Sequence, residues 1–283
     1  MKPIIKYRGG KSKEIPQLIQ HIPQFDGRYI EPFLGGGAMF FHLEPNNAII
    51  NDINARLINF YRYVQQNFDE LSAELAQLEY IYINNRLKFD KQKKIRPSER
   101  IPDDNEHLYY QLRDMYYGLT PSNYSDAAVY YFINKTAYSG MIRFNAKGEY
   151  NVPYGRYKNF NTKILTEAHH NLLLNTEIHH GDYRNIFDMA TPDDFIFLDP
   201  PYDCIFSDYG NMEYLEGFNE INHRELAQDF YNLDSRALLV IGDTPLIREL
   251  YGNNIIAEYN KNYSVNIRNR FQAGATHLII TNY

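Results

Sequence analysis

The sequence predicts an α/β protein: an open, largely parallel sheet with a second, mainly helical domain inserted into it. Three observations predict this. Strand-length apolar runs alternate with helix-spaced segments at both ends of the 283-residue chain, the pattern of βαβ units. The alternation stops over residues 69–163, where helical stretches, a basic run and a turn-rich piece replace it. Finally, the apolar run Phe195-Ile196-Phe197-Leu198 halts at Asp199-Pro200-Pro201-Tyr202, a polar strand end of the kind beside which ligands sit in open sheets.

Taken in order, residues 28–33 read as a short strand, followed by Leu34-Gly35-Gly36-Gly37 and a helix over 38–43. Residues 48–53 form the second strand, and 54–66 carry helical spacing through Leu57, Ile58, Tyr61 and Val64. Helical stretches follow over 69–82 and 125–135. Between them, 86–100 holds seven Lys or Arg against two acids. The piece from Arg143 to Pro153 reads as a hairpin turning at 145–148. Strands are then expected at 176–182, 195–199, 237–243, 255–259 and 277–281, with helices at 223–233 and 245–251. The domain division that follows is 1–68 with 164–283 for one domain and 69–163 for the inserted one.

Bulk properties narrow the class. Hydrophobic residues at 44% and charged residues at 23% are those of an ordinary globular chain. The single Cys204 excludes an intramolecular disulfide and fits a reducing, cytoplasmic setting. No secretory leader and no membrane-length apolar run are read from the sequence. A net charge of −6 argues against coating nucleic acid by bulk electrostatics, though a local basic groove is compatible with it. The pairs His169-His170 and His179-His180 lack the spacing of a helical metal site, so no metal is expected. Oligomeric state is not legible.

The chemistry resides in a few segments. A carboxylate, two φ-locked prolines and an aromatic ring after a strand build a rigid slot for a planar base with an exocyclic amine. Asp199 and the Pro200 carbonyl accept N–H bonds, Pro201 stiffens the loop and Tyr202 offers a stacking face. The plain alternative is a tight Pro-Pro turn with a buried tyrosine. Glu31-Pro32-Phe33-Leu34-Gly35-Gly36-Gly37 brings backbone close to a ligand, and Asp52 ends the second strand where a ribose diol would sit. Gly-rich loop and acid together suit dinucleotides and S-adenosylmethionine alike. The final glycine of a dinucleotide fingerprint is missing after Gly37. Lys11, in Tyr7-Arg8-Gly9-Gly10-Lys11, offers a cation for a ligand carboxylate, its alternative being a solvated first-turn lysine. The set favours S-adenosylmethionine.

In this order the segments resemble the Dam-type DNA adenine-N6 methyltransferases over nearly the whole chain. Tyr7 to Lys11 is similar to that family's amino-terminal element, with tyrosine where many members have tryptophan. Glu31 to Gly37 is similar to its glycine loop, and Asn51-Asp52-Ile53-Asn54 to its ribose-binding segment. Arg143-Phe144-Asn145 through Tyr157-Lys158 resembles its DNA-reading hairpin. The resemblance implies a Rossmann-like S-adenosylmethionine-dependent methyltransferase sheet whose inserted helical domain carries that hairpin. It implies that Tyr7, Lys11, Pro32, Phe33, Gly35, Gly37, Asp52 and Asp199 line the cofactor site. Asp182 would meet the cofactor's adenine amine, a role that competes with capping the next helix. Asp199, Pro200, Pro201 and Tyr202 would act on a base flipped out of duplex DNA. Arg143, Asn145, Arg156 and Lys158 would contact the DNA, the arginines through guanine edges or through phosphates alone. GATC or a GAT-containing sequence is the implied target, with a separately acting endonuclease as a possible partner. The rival readings are a cytosine-N4 or RNA adenine methyltransferase, a DNA-binding relative without activity, and a nucleotide-dependent oxidoreductase.

Overall fold

The computed structural model describes residues 1–7, 9–140, 152–202, 218–261 and 275–283. They fall into two compact units. Unit 1 comprises Met1, Gly10–Ala55 and Asn175–Tyr283; unit 2 comprises Lys2–Gly9 and Arg56–Leu174. In chain order the α-helices are α1 (Ile15–Leu18), α2 (Ala38–Leu43), α3 (Ala55–Gln66), α4 (Phe68–Ile95), α5 (Asp104–Tyr116), α6 (Asp126–Thr136), α7 (Glu167–Leu174), α8 (Arg184–Phe187), α9 (Glu220–Tyr231) and α10 (Pro245–Tyr251).

Unit 1 is built on a sheet of seven strands: β1 (Tyr29–Glu31), β2 (Ala48–Asp52), β3 (Thr176–His180), β4 (Phe195–Leu198), β5 (Arg236–Gly242), β6 (Ile255–Lys261) and β7 (Ala275–Thr281). Their spatial order is β3-β2-β1-β4-β5-β7-β6. The first five in that order pair in parallel. β7 runs antiparallel between β5 and β6, so the largely parallel sheet expected from the sequence ends in one reversed strand. Every residue of β2 and β4 is buried, which explains the unbroken apolar run of β4 and the apolar start of β2 before Asn51 and Asp52. Ile30, Ile49, Ile196, Leu198, Leu239 and Ile241 pack with Leu226 and Phe230 of α9 and Ile247 and Tyr251 of α10. The chain goes from β1 outward to β2 and β3, then returns to lay β4 on the other side of β1. That reversal is the sheet's switch point, and the carboxyl ends of β1, β2 and β4 border it.

Unit 2 is helical where described. Leu71, Leu75, Leu78 and Tyr82 of α4, Tyr109 and Leu112 of α5, and α6 from Ala127 to Thr136 are buried. Buried tyrosines find partners for their hydroxyls: Tyr82 OH lies 2.6 Å from Tyr154 OH, and Tyr109 OH donates to the Val152 carbonyl at 2.8 Å. Two features differ from the sequence reading. α4 does not end near Tyr82 but continues for 28 residues in all, because the basic run consists of good helix formers with an i,i+4 pair, Arg86–Asp90, inside it. α5 was not anticipated; Asp103 caps it by accepting from Asn105 N. Among the described residues no helix is long and apolar enough to cross a membrane. The hairpin expected at 145–148, with Arg143 and Asn145, and Cys204 lie outside the described residues.

Candidate active site

The glycine loop leaves β1 at the switch point and enters α2 through Gly37, whose φ of +65° is the left-handed conformation that favours glycine. A Cβ there would meet the Phe41 ring at 3.1 Å and Leu34 Cδ1 at 3.3 Å. Hydrogen bonds stitch the loop to the end of β2. Gly35 N donates to Asp52 Oδ2 at 2.8 Å, Leu34 N to the Asn51 carbonyl at 2.9 Å, and Asn51 Nδ2 to the carbonyls of Pro32 and Gly181 at 2.9 Å each. Asp52 Oδ1 accepts from Asn54 N at 2.9 Å. The Asp52 carboxylate is therefore buried and held on both oxygens.

At the end of β4, the Asp199 carboxylate receives the Lys11 ammonium on both oxygens, at 2.6 and 2.8 Å. Lys11 is 3% exposed, so it is no solvated first-turn lysine. Burial raises the Asp199 carboxyl above the ordinary aspartate value, and the Lys11 charge opposes that rise. Lys11 Nζ also sits 4.8 Å from the centre of the Tyr202 ring, a cation–π approach. Tyr202 packs edge-on to His277 at 5.1 Å between ring centres.

Behind Tyr202 lies a buried polar cluster that sequence reasoning missed. Glu14 Oε2 accepts from Tyr259 OH at 2.5 Å and lies 2.9 Å from His277 Nδ1, while Lys261 Nζ is 2.5 Å from Oε1. Burial works against the Glu14 charge, but His277, Lys11, Lys261 and Tyr259 together hold its carboxyl down at about 2. Glu14 and His277 are 263 residues apart, so no local pattern could have joined them. Glu31 was read only as part of the glycine-loop motif. It is 2% exposed and accepts from Tyr29 OH at 2.7 Å and Phe40 N at 3.1 Å. Burial first, then the charges of Asp199 and Asp52, push it up to about 8 against those two donors. It is thus a protonated acid at neutral pH, beside two carboxylates.

The remaining predicted residues are spread over both units. Pro32 is buried, and Phe33 stacks near Tyr183 at 5.2 Å between ring centres. Asp182 Oδ1 accepts from N of Arg184, the first residue of α8, at 2.9 Å, while the residue that caps this helix is Tyr183. Pro200 is buried and Pro201 half-buried. Tyr7, Arg156 and Lys158 belong to unit 2, with Tyr7 half-buried and the other two exposed. Arg156 has φ +55° and lies 3.4 Å from Glu106. The histidine pairs have protein partners: His170 Nδ1 lies 2.9 Å from the Val64 carbonyl and His180 Nε2 3.0 Å from that of Ile53.

Compared with known proteins, residues 7–265 match the family model of the D12 class N6 adenine-specific DNA methyltransferases. The type II methyltransferase M.CviBI of Paramecium bursaria Chlorella virus NC1A is 34% identical over 291 residues, covering 100% of both chains. The type II methyltransferase M.MjaIII of Methanocaldococcus jannaschii is 34% identical over 83% of this chain and 81% of its own. The DNA adenine methylase of Salmonella typhi is 27% identical over 88% of this chain and 84% of its own.

Proposed function

The chain belongs to the D12 class N6 adenine-specific DNA methyltransferases, and from that premise we propose how its residues divide the reaction. A methyltransferase needs a methyl donor, and we assign S-adenosylmethionine, which supplies an electrophilic methyl group on a sulfonium. The observation supporting a fit is a cradle at the switch point, where the glycine loop is bonded through Gly35 N to the buried Asp52 carboxylate at the end of β2. Asp52 would accept from ribose hydroxyls and Asp182 from the adenine amine. Pro32, Phe33, Gly35 and Gly37 would line the cradle, and Tyr7 and Lys11 would complete it.

One observation carries the catalytic reading: Asp199 stands at the end of β4, beside the switch point, with the Lys11 ammonium on both of its oxygens. An ionised Asp199 and the Pro200 carbonyl would accept the two hydrogens of the target amine. That draws the nitrogen lone pair out of conjugation with the purine and aims it at the methyl group. Pro200 and Pro201 keep the acceptors in place, Tyr202 stacks on the base, and orientation with preorganised acceptors provides the acceleration. Lys11 then has a second task, opposing the rise that burial imposes on the Asp199 carboxyl.

The amine lies inside the duplex, so the base would be flipped out. Residues 69–163 would read the DNA, with Arg143, Asn145, Arg156 and Lys158 as contacts and GATC or a GAT-containing sequence as the site. Two of the relatives bear the name type II methyltransferase, which makes a separate endonuclease for the same site a partner worth seeking. The test is to incubate duplex DNA with the protein and S-adenosylmethionine and map N6-methyladenine. Modification at GAT-containing sites is expected. Unmodified DNA, or methyl groups on cytosine N4, would overturn the reading.

A further inference from the structure

Helix α4 has two apolar stripes on opposite sides. At 100° per residue, Leu71, Leu75, Leu78 and Tyr82 share one side, and all four are buried. Diametrically opposite, Asp69, Ala73, Ala76, Tyr80, Ile83, Leu87, Lys91 and Lys94 fall within an arc of about 80°, and every one of them is exposed. From Asp69 to Leu87 the spacings alternate four and three, those of the a and d positions of a heptad seam. Tyr80 is 71% exposed, Ile83 49% and Leu87 63%, a large apolar cost to leave in water on one helix face.

The charges on this helix separate along the same line. Off the seam, Arg86 pairs with Asp90, Lys88 with Asp104 and Arg96 with Glu99, and Lys93 donates to the Glu99 carbonyl. On the seam, Asp69 at one end and Lys91 and Lys94 at the other form no ion pair with a described residue. An antiparallel copy of the helix related by a two-fold axis near residues 81–82 would set Asp69 against Lys94, Ala76 against Leu87, and Tyr80 against Ile83. Each of these contacts occurs twice, as an isologous interface requires. The small Ala76 faces the bulky Leu87, and the acid faces the base.

We propose that this face of α4 is a homodimer interface, its occupant a second antiparallel copy of the same helix. Nucleic acid fits less well: most basic residues of the run already have partners, and phosphates would leave Tyr80, Ile83 and Leu87 uncovered. The proposal is independent of the methyl-transfer reading, because its measurement is mass rather than activity.

The test is sedimentation equilibrium of the full chain across a concentration series. A reversible monomer–dimer equilibrium is expected. Leu87→Glu should weaken it at least about tenfold without changing the circular-dichroism spectrum or melting temperature, since Leu87 supports no core. Asp69→Lys and Lys94→Asp should each weaken it, and the two together should restore it, a rescue that only the antiparallel self-pairing gives. A protein that stays monomeric into the hundreds of micromolar, a dimer indifferent to Leu87→Glu, or charge swaps without rescue would overturn the proposal. So would unchanged mass accompanied by a lower salt slope for DNA binding in Lys91→Gln and Lys94→Gln, which would assign the face to phosphates.

Discussion

Strand β4 has an aspartate at each end, and the two are treated in opposite ways. Asp194, before the strand, receives five donor contacts: Arg28 N at 2.6 Å, Arg28 Nε at 3.3 Å, Arg28 Nη2 at 2.8 Å, Thr191 N at 2.8 Å and Thr191 Oγ1 at 3.0 Å. Burial would raise its carboxyl, but the Arg28 and Thr191 bonds outweigh it and hold the group at about 2. Asp199, after the strand, has the Lys11 ammonium, and burial leaves its carboxyl above the ordinary range. A carboxylate whose acceptor capacity is used up by its own chain serves the fold. One that among the described residues accepts from a single lysine, at the end of the sheet where the strand order reverses, is the one proposed to accept a ligand's hydrogens.

The comparison breaks most visibly if the two residues are exchanged in importance. Asp199→Asn replaces an acceptor oxygen by a donor while preserving volume. Methyl transfer is expected to fall by at least about 10³, with the melting temperature little changed. Single-turnover incorporation of labelled methyl groups into duplex DNA checks the first, and thermal unfolding the second. Asp194→Ala should do the reverse. Removing one partner of a buried pair leaves Arg28 and the Thr191 amide without their acceptor and costs about 3 kcal/mol, read by denaturant unfolding, while the folded fraction keeps its turnover. The Asp194 contribution is fully present above the ordinary value of 3.8 and disappears as pH falls from there through about 2. Unfolding midpoints of the two proteins should therefore converge in acid.

Glu31 sharpens the comparison because it is an acid at the same end of the sheet as Asp199 but resolves its burial by protonation. Below its ordinary value of 4.5 both folded and unfolded chains hold the proton, so nothing is lost. Between 4.5 and about 8 the unfolded chain ionises first, and stability declines as pH rises. Glu31→Gln, a mimic of the protonated acid, should remove that decline. The variant is expected to match the parent near pH 5 and exceed it by about a few kcal/mol near pH 8, measured as unfolding free energy against pH. Equal slopes in the two proteins would mean Glu31 is ionised in the fold.

How much of this was legible depends on how far apart the cooperating residues lie. β2, β4 and α2 were readable because their apolar residues are contiguous and, for α2, directly follow Gly35-Gly36-Gly37, and Asp199 and Asp52 were readable as polar residues closing the runs of β4 and β2. Strand β7 was readable at 277–281 but its reversed direction was not, since antiparallel pairing with β5, some forty residues earlier, leaves no mark on either sequence. The continuation of α4 past Tyr82 was obscured by a charge run that resembles a solvated loop until Arg86–Asp90 and Lys88–Asp104 are seen to hold it. Glu14, Glu31 and Asp194 share one reason for being missed: the local sequence gives no hint that the fold buries them or of which residues it brings to them as partners. Lys11 was readable as a cation near a ligand but not as the counter-ion of Asp199, because only the fold brings residues 188 positions apart into contact.

Gly37 carries the smallest expected effect and tests whether the switch-point loop is shaped for a ligand or only for a turn. Its left-handed φ makes an alanine there cost about 1–2 kcal/mol, and the added Cβ would press on the Phe41 ring at 3.1 Å. Both penalties act on the fold and should appear as a lowered melting temperature. If the loop also cradles the methyl donor, the ring and backbone shifts that relieve the contact propagate to Gly35 and to its bond with Asp52. Gly37→Ala should then raise KM for S-adenosylmethionine several-fold while leaving KM for DNA unchanged. A variant that loses stability but keeps both constants would make the loop a turn and no more, and would move the donor's cradle away from the end of β1.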